Sequence, residues 1–486
     1  MRNSLFPVLG VLGFAVALFS VAFLVPLTYA FVTDEPTVHA FATGFLVTFG
    51  IGVTAHVLTR RFRRELQPRD GFLLVSTVWS GLPAFATIPM VLFFDDLSVT
   101  DAYFEMVSAL TTTGATVLSG LDDMPASINI WRHLLSWMGG MGILVLAVAI
   151  LPLLGVGGSQ VFKAETPGPM KDSKLTPRIT ETAKSLYMVY LMLSVACAIS
   201  YKLAGMTWLD AFLHTGTTVS LSGFSSHDAS YAYFDSAAIE MVAVVFMMIA
   251  AVNFSIHFLA WRGKSFRPYA NCPEAKWFFM LMFGAVSLIT VYLLAHQEYT
   301  TFSEAFRYAL FNTVSVATTT GYANTDYSQW PLFAPLLMIF LSMFATAAGS
   351  TGGGIKMLRA VILFKHAIGE LSRILHPRAI NPVRIRGSAV SPQVIFGVLA
   401  FMLMYGMSVI TITMLLIFTG LDPISALTTG ISMINNLGPA LGEFGPVDHY
   451  GALGDFQTWL CSFAMLLGRL EMFTILVLFT PAFWRK

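Results

Sequence analysis

Four short stretches of this chain share one composition: a glycine among hydroxyl or amide residues, between long apolar segments. They are Thr111-Thr112-Thr113-Gly114-Ala115-Thr116, Ser220-Leu221-Ser222-Gly223-Phe224-Ser225, Thr318-Thr319-Thr320-Gly321-Tyr322-Ala323 and Asn435-Asn436-Leu437-Gly438-Pro439-Ala440. β-Branched residues running into glycine continue a helix poorly, and glycine admits φ > 0. Backbone that alternates around such a glycine turns successive carbonyls to one side. Four loops around one axis would then give rings of four oxygens, enough to replace the water shell of a monovalent cation. The chemistry expected is ion coordination by peptide oxygen, lined by Thr112, Thr113, Gly114, Leu221, Ser222, Gly223, Thr319, Thr320, Gly321, Asn436, Leu437 and Gly438. A single loop of this kind reads as a kink or a helix-packing glycine; four in register favour the ion pathway. The second and fourth loops put Leu221 and Asn436-Leu437 where the others have threonine, so fewer strong sites are expected than in a symmetric pore.

A second constellation lies further on. Ala345-Thr-Ala-Ala-Gly349-Ser350-Thr351-Gly352-Gly353-Gly354 sits in the middle of an apolar segment. Each glycine costs a helix about 1 kcal/mol relative to alanine. This stretch should therefore unwind, and its freed carbonyls need water, an ion or a donor. Matching places in the first and fourth units hold Gly139-Gly140 and Gly468-Arg469. A positive charge at the centre of a membrane helix costs about 2.5–3.5 kcal/mol, so Arg469 must face a wet cavity or pair. Two readings stand: a pore-facing charge beside 349–354 that repels cations until the loop moves, or a structural pairing with loop carbonyls.

The elements that would position these groups are membrane helices. Apolar residues make up 56% of the chain and charged residues 11%, too few to cover a water-soluble surface. Segments 5–32, 37–58, 71–94, 128–155, 185–205, 237–261, 277–296, 331–364, 391–420 and 456–481 are each about long enough to cross a ~30 Å hydrocarbon core. The ~10-residue alternation of a membrane β-barrel is absent. Threading ten spans from a cytoplasmic N-terminus puts every one of the 28 Lys/Arg on the cytoplasmic side except Arg132, Lys202, Arg307 and Arg469. Asp95, Asp96, Asp122 and Asp123 fall outside. The positive-inside rule favours that threading, with both termini cytoplasmic. The first apolar run is longer than a signal-peptide core and is expected to stay as an anchor helix.

The expected fold is an all-α integral membrane protein. Residues 1–66 form an N-terminal two-helix hairpin. Residues 67–162, 163–270, 271–388 and 389–486 form four helix–pore-loop–helix repeats around one pseudo-fourfold pore, the third carrying the unwound stretch. Duplication at this size, built of spanning helices, is a pore unit repeated and not a solenoid. The short helices before the loops open at Asp101-Ala-Tyr-Phe, Asp210-Ala-Phe, Glu304-Ala-Phe and Asp422-Pro-Ile. An acid there suits the positive end of a helix dipole, which leaves the negative ends aimed at the loops; it also reads as a plain N-cap. The run Arg60-Arg61-Phe62-Arg63-Arg64 fixes topology at the inner face, with a lipid or partner site as the alternative.

At this point the chain resembles the Trk/Ktr/HKT superfamily of potassium transporters, in particular its TrkH-type subunits. The resemblance rests on the four single-glycine loops, on Trp131-Arg132-His133-Leu134-Leu135-Ser136-Trp137-Met138-Gly139-Gly140-Met141-Gly142 and on Gly349-Ser350-Thr351-Gly352-Gly353-Gly354-Ile355-Lys356. The N-terminal hairpin is similar to the TrkH type, not to the eight-span Ktr subunits. The resemblance implies K⁺ as the transported ion, because glycine in all four loops goes with K⁺ and serine in the first goes with Na⁺ in some plant relatives. It implies a gate made of Gly349, Ser350, Thr351, Gly352, Gly353, Gly354 and Arg469. It further implies a homodimer in the bacterial inner membrane and a cytoplasmic nucleotide-binding ring of the TrkA type as partner. The basic segments 163–184, 262–276 and 365–386 are candidate docking surfaces for that ring.

Other classes recede. Gly349-x-x-x-x-Gly354-Ile355-Lys356 departs from a phosphate-binding loop, because Ile355 intervenes and Met357 follows the lysine. Gly155-Val-Gly-Gly158 is no dinucleotide fingerprint. No organic cofactor, nucleic acid or enzymatic centre is expected. Cys197, Cys272 and Cys461 show no pairing or metal spacing. Histidines 214, 227, 257, 296 and 366 show no ligand spacing and read as polar contacts; His214, in the second short helix, is the one that bears on pH response. The competing function is an H⁺- or Na⁺-coupled secondary transporter. It would want intramembrane carboxylates, of which the spans offer Glu240 and Glu471.

Overall fold

The computed structural model describes residues 2–62, 64, 66–149, 175–378, 381–385 and 388–485. The described residues form eighteen α-helices of six residues or more, labelled in chain order. They are α1 (Arg2–Ser20), α2 (Leu24–Val32), α3 (Val38–Thr59), α4 (Pro68–Ala86), α5 (Ile88–Phe93), α6 (Val99–Leu110), α7 (Ala126–Ala149), α8 (Leu175–Ala204) and α9 (Trp208–Ser220). They continue with α10 (Ala237–Ala250), α11 (Phe254–Gly263), α12 (Pro273–Ala295), α13 (Phe302–Ala317), α14 (Phe333–Ser342), α15 (Met357–Leu375), α16 (Pro392–Phe418), α17 (Pro423–Asn435) and α18 (Asp455–Arg469). The only ladder among the described residues pairs Arg384–Ile385 with Ser388–Ala389.

Among the described residues, six helical segments are long and apolar enough to cross a membrane, and eight if two bent pairs count as one span each. The bends are 95° between α10 and α11 and 109° after α18. Neither was visible in the sequence as a break. In the first, Asn253 stops one helix and starts the next, its Oδ1 accepting from Ser255 N at 2.8 Å. In the second, the chain turns at Glu471 and Met472, both at φ 53° without glycine or proline. The unwound stretch in the third unit appears where the sequence put it, between α14 and α15. The first unit's helix α7 ends at Ala149, and its expected continuation to 155 lies outside the described residues.

The N-terminal hairpin is part of the body. Gly13 and Gly52 let α1 and α3 cross with backbone in contact, as small residues do between membrane helices. Phe19, Phe23 and Phe41 pack around the buried indole of Trp131 on α7, with Phe23 at a 4.4 Å centroid distance. Glu35 then caps α7, accepting from Ala126 N and Ser127 N at 3.1 Å each.

Candidate functional site

Four short helices, α6, α9, α13 and α17, carry the four glycine loops. Ser98, Thr207 and Thr301 cap the first three by accepting from Asp101, Asp210 and Glu304 N–H, while Asp422 caps α17 itself. The plain N-cap reading therefore holds for Asp422 alone; Asp101, Asp210 and Glu304 lie in the first turn, where an acid suits the helix dipole. All four helices end in one backbone device. Thr113, Ser222, Thr320 and Leu437 donate N–H to Ser108, Thr217, Ser315 and Ser432 carbonyls at 2.8–2.9 Å. Thr112, Leu221, Thr319 and Asn436, one residue earlier, sit at φ 55–59° and donate to Ala109, Thr218, Val316 and Met433. That is the Schellman cap, whose left-handed position ordinarily takes glycine. Here two threonines, a leucine and an asparagine accept the strain, of order 1 kcal/mol or more each. Gly114, Gly223, Gly321 and Gly438 then add a second positive φ of 78–95° in every loop.

The loops close on one another. A Cβ built on Gly114 would run into the Ser222 carbonyl, one on Gly223 into Thr320 and one on Gly321 into Leu437; one on Gly438 would lie 2.7 Å from the Thr113 carbonyl. Each glycine therefore abuts the next loop's carbonyl, and the fourth returns to the first. Several loop side chains are hydrogen-bonded to one another or to α7. Thr111 and Thr113 hydroxyls bond at 2.7 Å, Thr318 and Thr320 at 2.8 Å, and Ser222 donates to Ser136 on α7. Asn436 donates to Thr113 Oγ1 at 3.0 Å, joining the fourth loop to the first. The glycines line one cavity of about 90 Å³, shared with Thr116, Phe224, Pro439 and Tyr450.

Each short helix also holds the chain leaving its own loop. His214 reaches Ser225 Oγ at 3.0 Å, Asn312 donates to Asn324 Oδ1 at 2.7 Å, and Thr428 accepts from Leu441 N at 3.1 Å. In the first unit this place is taken by Glu105, which is fully buried and accepts from Val117 N at 2.9 Å and from Thr116 Oγ1. Its counter-ion is Arg132, also fully buried, with Nε 2.7 Å away. Glu105 was not picked out in the sequence, and Arg132 was noted as a base outside the cytoplasmic clusters and as part of the 131–142 motif, with no role given to it. A carboxylate in a short apolar helix with a guanidinium in the facing helix was the signal available.

On the opposite side of the ring from that cavity, glycines let the inner helices close in under the short helices. Gly139 meets the Leu110 carbonyl, Gly353 Asn435 and Gly468 Ile434, each without room for a Cβ, while a Cβ on Gly352 would crowd the Thr346 side chain and lie 3.1 Å from Thr318 O. The stretch 343–356 is tied to the same layer. Thr351 donates to Val219 O at 3.0 Å, and Gly353 N donates to Thr319 Oγ1 at 2.8 Å. Arg469 is buried there, its Nη1 on the Thr351 carbonyl at 2.9 Å and its Nη2 on Gly139 O at 3.2 Å; its Nε has no partner among the described residues. Arg469 thus pairs with a carbonyl of the unwound loop, the contact that the structural-pairing reading expects. Glu274 on α12 holds both arms of the loop through Ala348 N and Leu358 N, and Lys356 Nζ donates to Gly352 O. Glu471, expected on a continuous helix, lies beyond the end of α18 and pairs with Arg359.

At the mouth, His227 lies between Asp122 and Asp210 and stacks on Tyr233 at 3.5 Å. Burial opposes its charged form, but the two carboxylates outweigh that and raise its pKa above the ordinary imidazole value. His214 bonds the Asp210 carbonyl and Ser225, a structural strut. The three cysteines are free and buried. No cluster of His, Cys, Asp and Glu fit for a metal occurs among the described residues. Of the basic segments proposed for docking, 163–174 lies outside the described residues.

Comparison with known proteins adds three findings. The family model described as "TrkH: Cation transport protein" matches residues 37–486. The chain is 44% identical over 482 residues to the Trk system potassium uptake protein TrkH of Vibrio parahaemolyticus serotype O3:K6, covering 99% of each chain. It is 40% identical over 477 residues to the protein of that name from Escherichia coli K12, covering 98% of each. Among solved structures it is similar to the crystal structure of the potassium transporter TrkH from Vibrio parahaemolyticus, with a TM-score of 0.91, 42% identity and 100% coverage of both chains.

Proposed function

The chain belongs to the TrkH family of cation transport proteins, and from that premise we propose that it takes up potassium through a single pore ringed by its own four loops. The observation that carries this reading is the closed cycle of glycine–carbonyl contacts, Gly114 to Ser222, Gly223 to Thr320, Gly321 to Leu437 and Gly438 to Thr113. Carbonyls of Thr112, Thr113, Gly114, Leu221, Ser222, Gly223, Thr319, Thr320, Gly321, Asn436, Leu437 and Gly438 line the passage and stand in for hydration water. The short helices present their negative dipole ends to a cation beneath the ring. The membrane potential supplies the drive, about 2.3 kcal/mol per charge per 100 mV.

The gate in this reading is the 349–354 loop with Arg469. While Arg469 holds Thr351, its charge and the loop sit under the ring and cations do not pass. The chain crosses the bacterial inner membrane ten times as four repeats of 67–162, 163–270, 271–388 and 389–486 after the 1–66 hairpin, with both termini cytoplasmic. It works as a homodimer and docks a TrkA-like nucleotide-binding ring on its basic cytoplasmic segments; it is not an enzyme and holds no organic cofactor. Ion-coupled transport gains no support from the carboxylates. Glu105, Glu240 and Glu471 are each in an ion pair, with Arg132, Arg307 and Arg359, and Glu274 accepts from backbone.

The test is cation flux into liposomes holding this chain alone. Potassium and rubidium should enter well ahead of sodium and lithium without a pH gradient. Flux that requires a proton or sodium gradient, or that ignores ion identity, would refute the reading.

A further inference from the structure

The ion pair Glu105–Arg132 is the feature the pore reading leaves unused. Neither side chain has measurable exposure. Apart from Asn129 on α7, its partners lie on the chain leaving the ring. Glu105 takes Val117 N at 2.9 Å and the Thr116 hydroxyl at 3.0 Å. Arg132 donates Nη2 to Thr116 Oγ1 at 3.2 Å, reaches the Ser225 carbonyl in the second loop with Nη1, and lays its guanidinium 4.3 Å over the Phe224 ring. Asn129 Oδ1 takes Nη1 at 3.0 Å and fixes the fork. One pair thus grips two neighbouring loops just past Gly114 and Gly223. The side chains of the matching residues in the other short helices, His214, Asn312 and Thr428, make uncharged hydrogen bonds, each within its own unit.

We propose that Glu105 and Arg132 are positioning residues for ion selection: they fix the spacing between the first and second loops, and so the size of the oxygen ring that distinguishes K⁺ from Na⁺. This rests on the pore reading above. Loops whose caps place Thr112 and Leu221 in left-handed backbone have an easier conformation to relax into, and a charge-assisted clamp opposes that relaxation. Arginine suits the task because its rigid fork reaches four acceptors at once, on Glu105, Asn129, Ser225 and Thr116, where an ammonium offers three N–H groups on a flexible stem. The second and fourth loops lack the threonine series of the other two, so the second has the greater need of an outside brace.

The experiment compares K⁺ and Na⁺ flux in liposomes holding the full chain or a variant, with folded yield and thermal unfolding measured alongside. Arg132→Lys keeps the charge but loses the reach to Ser225 and Phe224. Thr116→Val removes the shared hydroxyl at nearly constant shape, and Thr116→Ser restores it. Glu240→Gln, which breaks a pair tying α10 to α13, controls for loss of stability alone. The K⁺:Na⁺ ratio should fall at least tenfold in Arg132→Lys and Thr116→Val, chiefly through faster Na⁺ flux. It should stay within twofold of the parent in Thr116→Ser and Glu240→Gln, even where Glu240→Gln unfolds at lower temperature. Unchanged ratios in Arg132→Lys and Thr116→Val, with the parent K⁺-selective, would overturn the clamp and leave the pore standing. A parent that does not prefer K⁺ would overturn the pore reading, and the clamp with it. If Arg132→Lys does not fold, the Val/Ser pair at position 116 decides alone.

Discussion

Arg469 is the residue on which the gating account turns. A guanidinium held on Thr351 O and Gly139 O puts a full positive charge in the layer under the ring. At an effective dielectric constant near 20, a unit charge about 4 Å from a cation raises its energy by about 4 kcal/mol. Arg469→Ala should therefore raise K⁺ flux by about tenfold or more, whereas Arg469→Lys, which keeps the charge, should stay near the parent. Equal flux in all three would remove Arg469 from the gate. The sequence betrayed this residue because a base in an apolar helix is costly and therefore placed for a reason. It did not betray Glu105, whose cost is hidden by a partner on another helix. Nor did it betray the turn at Glu471 and Met472, because no glycine or proline marks it.

At the scale of elements, two kinds of glycine do different work. Gly139 lets α7 lie against the Leu110 carbonyl at the end of α6, and an added methyl has nowhere to go. Gly284 on α12 has nothing within 4 Å of its missing Cβ. Gly139→Ala should destabilise the protein by about 1–3 kcal/mol and cut flux. Gly284→Ala should stabilise it by about 0.5–1 kcal/mol and leave flux unchanged. Thermal unfolding of the detergent-purified variants checks both. Sequence composition marked the filter glycines and the unwound 349–354 stretch, because clustered glycine in an apolar span has few other uses. The left-handed caps at Thr112, Leu221, Thr319 and Asn436 were not legible: no local propensity places leucine or threonine there, and the surrounding contacts override it. The bend at Asn253 was legible only in retrospect, since asparagine in an apolar helix also reads as a polar contact.

For the molecule as a whole, the four loops differ in sequence yet share backbone dihedrals, cap hydrogen bonds and the closed glycine–carbonyl cycle. That convergence is what the sequence could only suggest, because the second and fourth loops lack the threonine series and declare their kinship through conformation alone. Ion transport by this fold therefore turns on the ring of loop carbonyls. Its most direct test is anomalous scattering from Rb⁺ in crystals of the protein grown without potassium. The account predicts a peak on the axis enclosed by the Thr113, Ser222, Thr320 and Leu437 carbonyls, abolished when Na⁺ replaces Rb⁺. Rb⁺ density confined to the mouth beside Asp122, Asp228 and Asp448, with none between those four carbonyls, would contradict it.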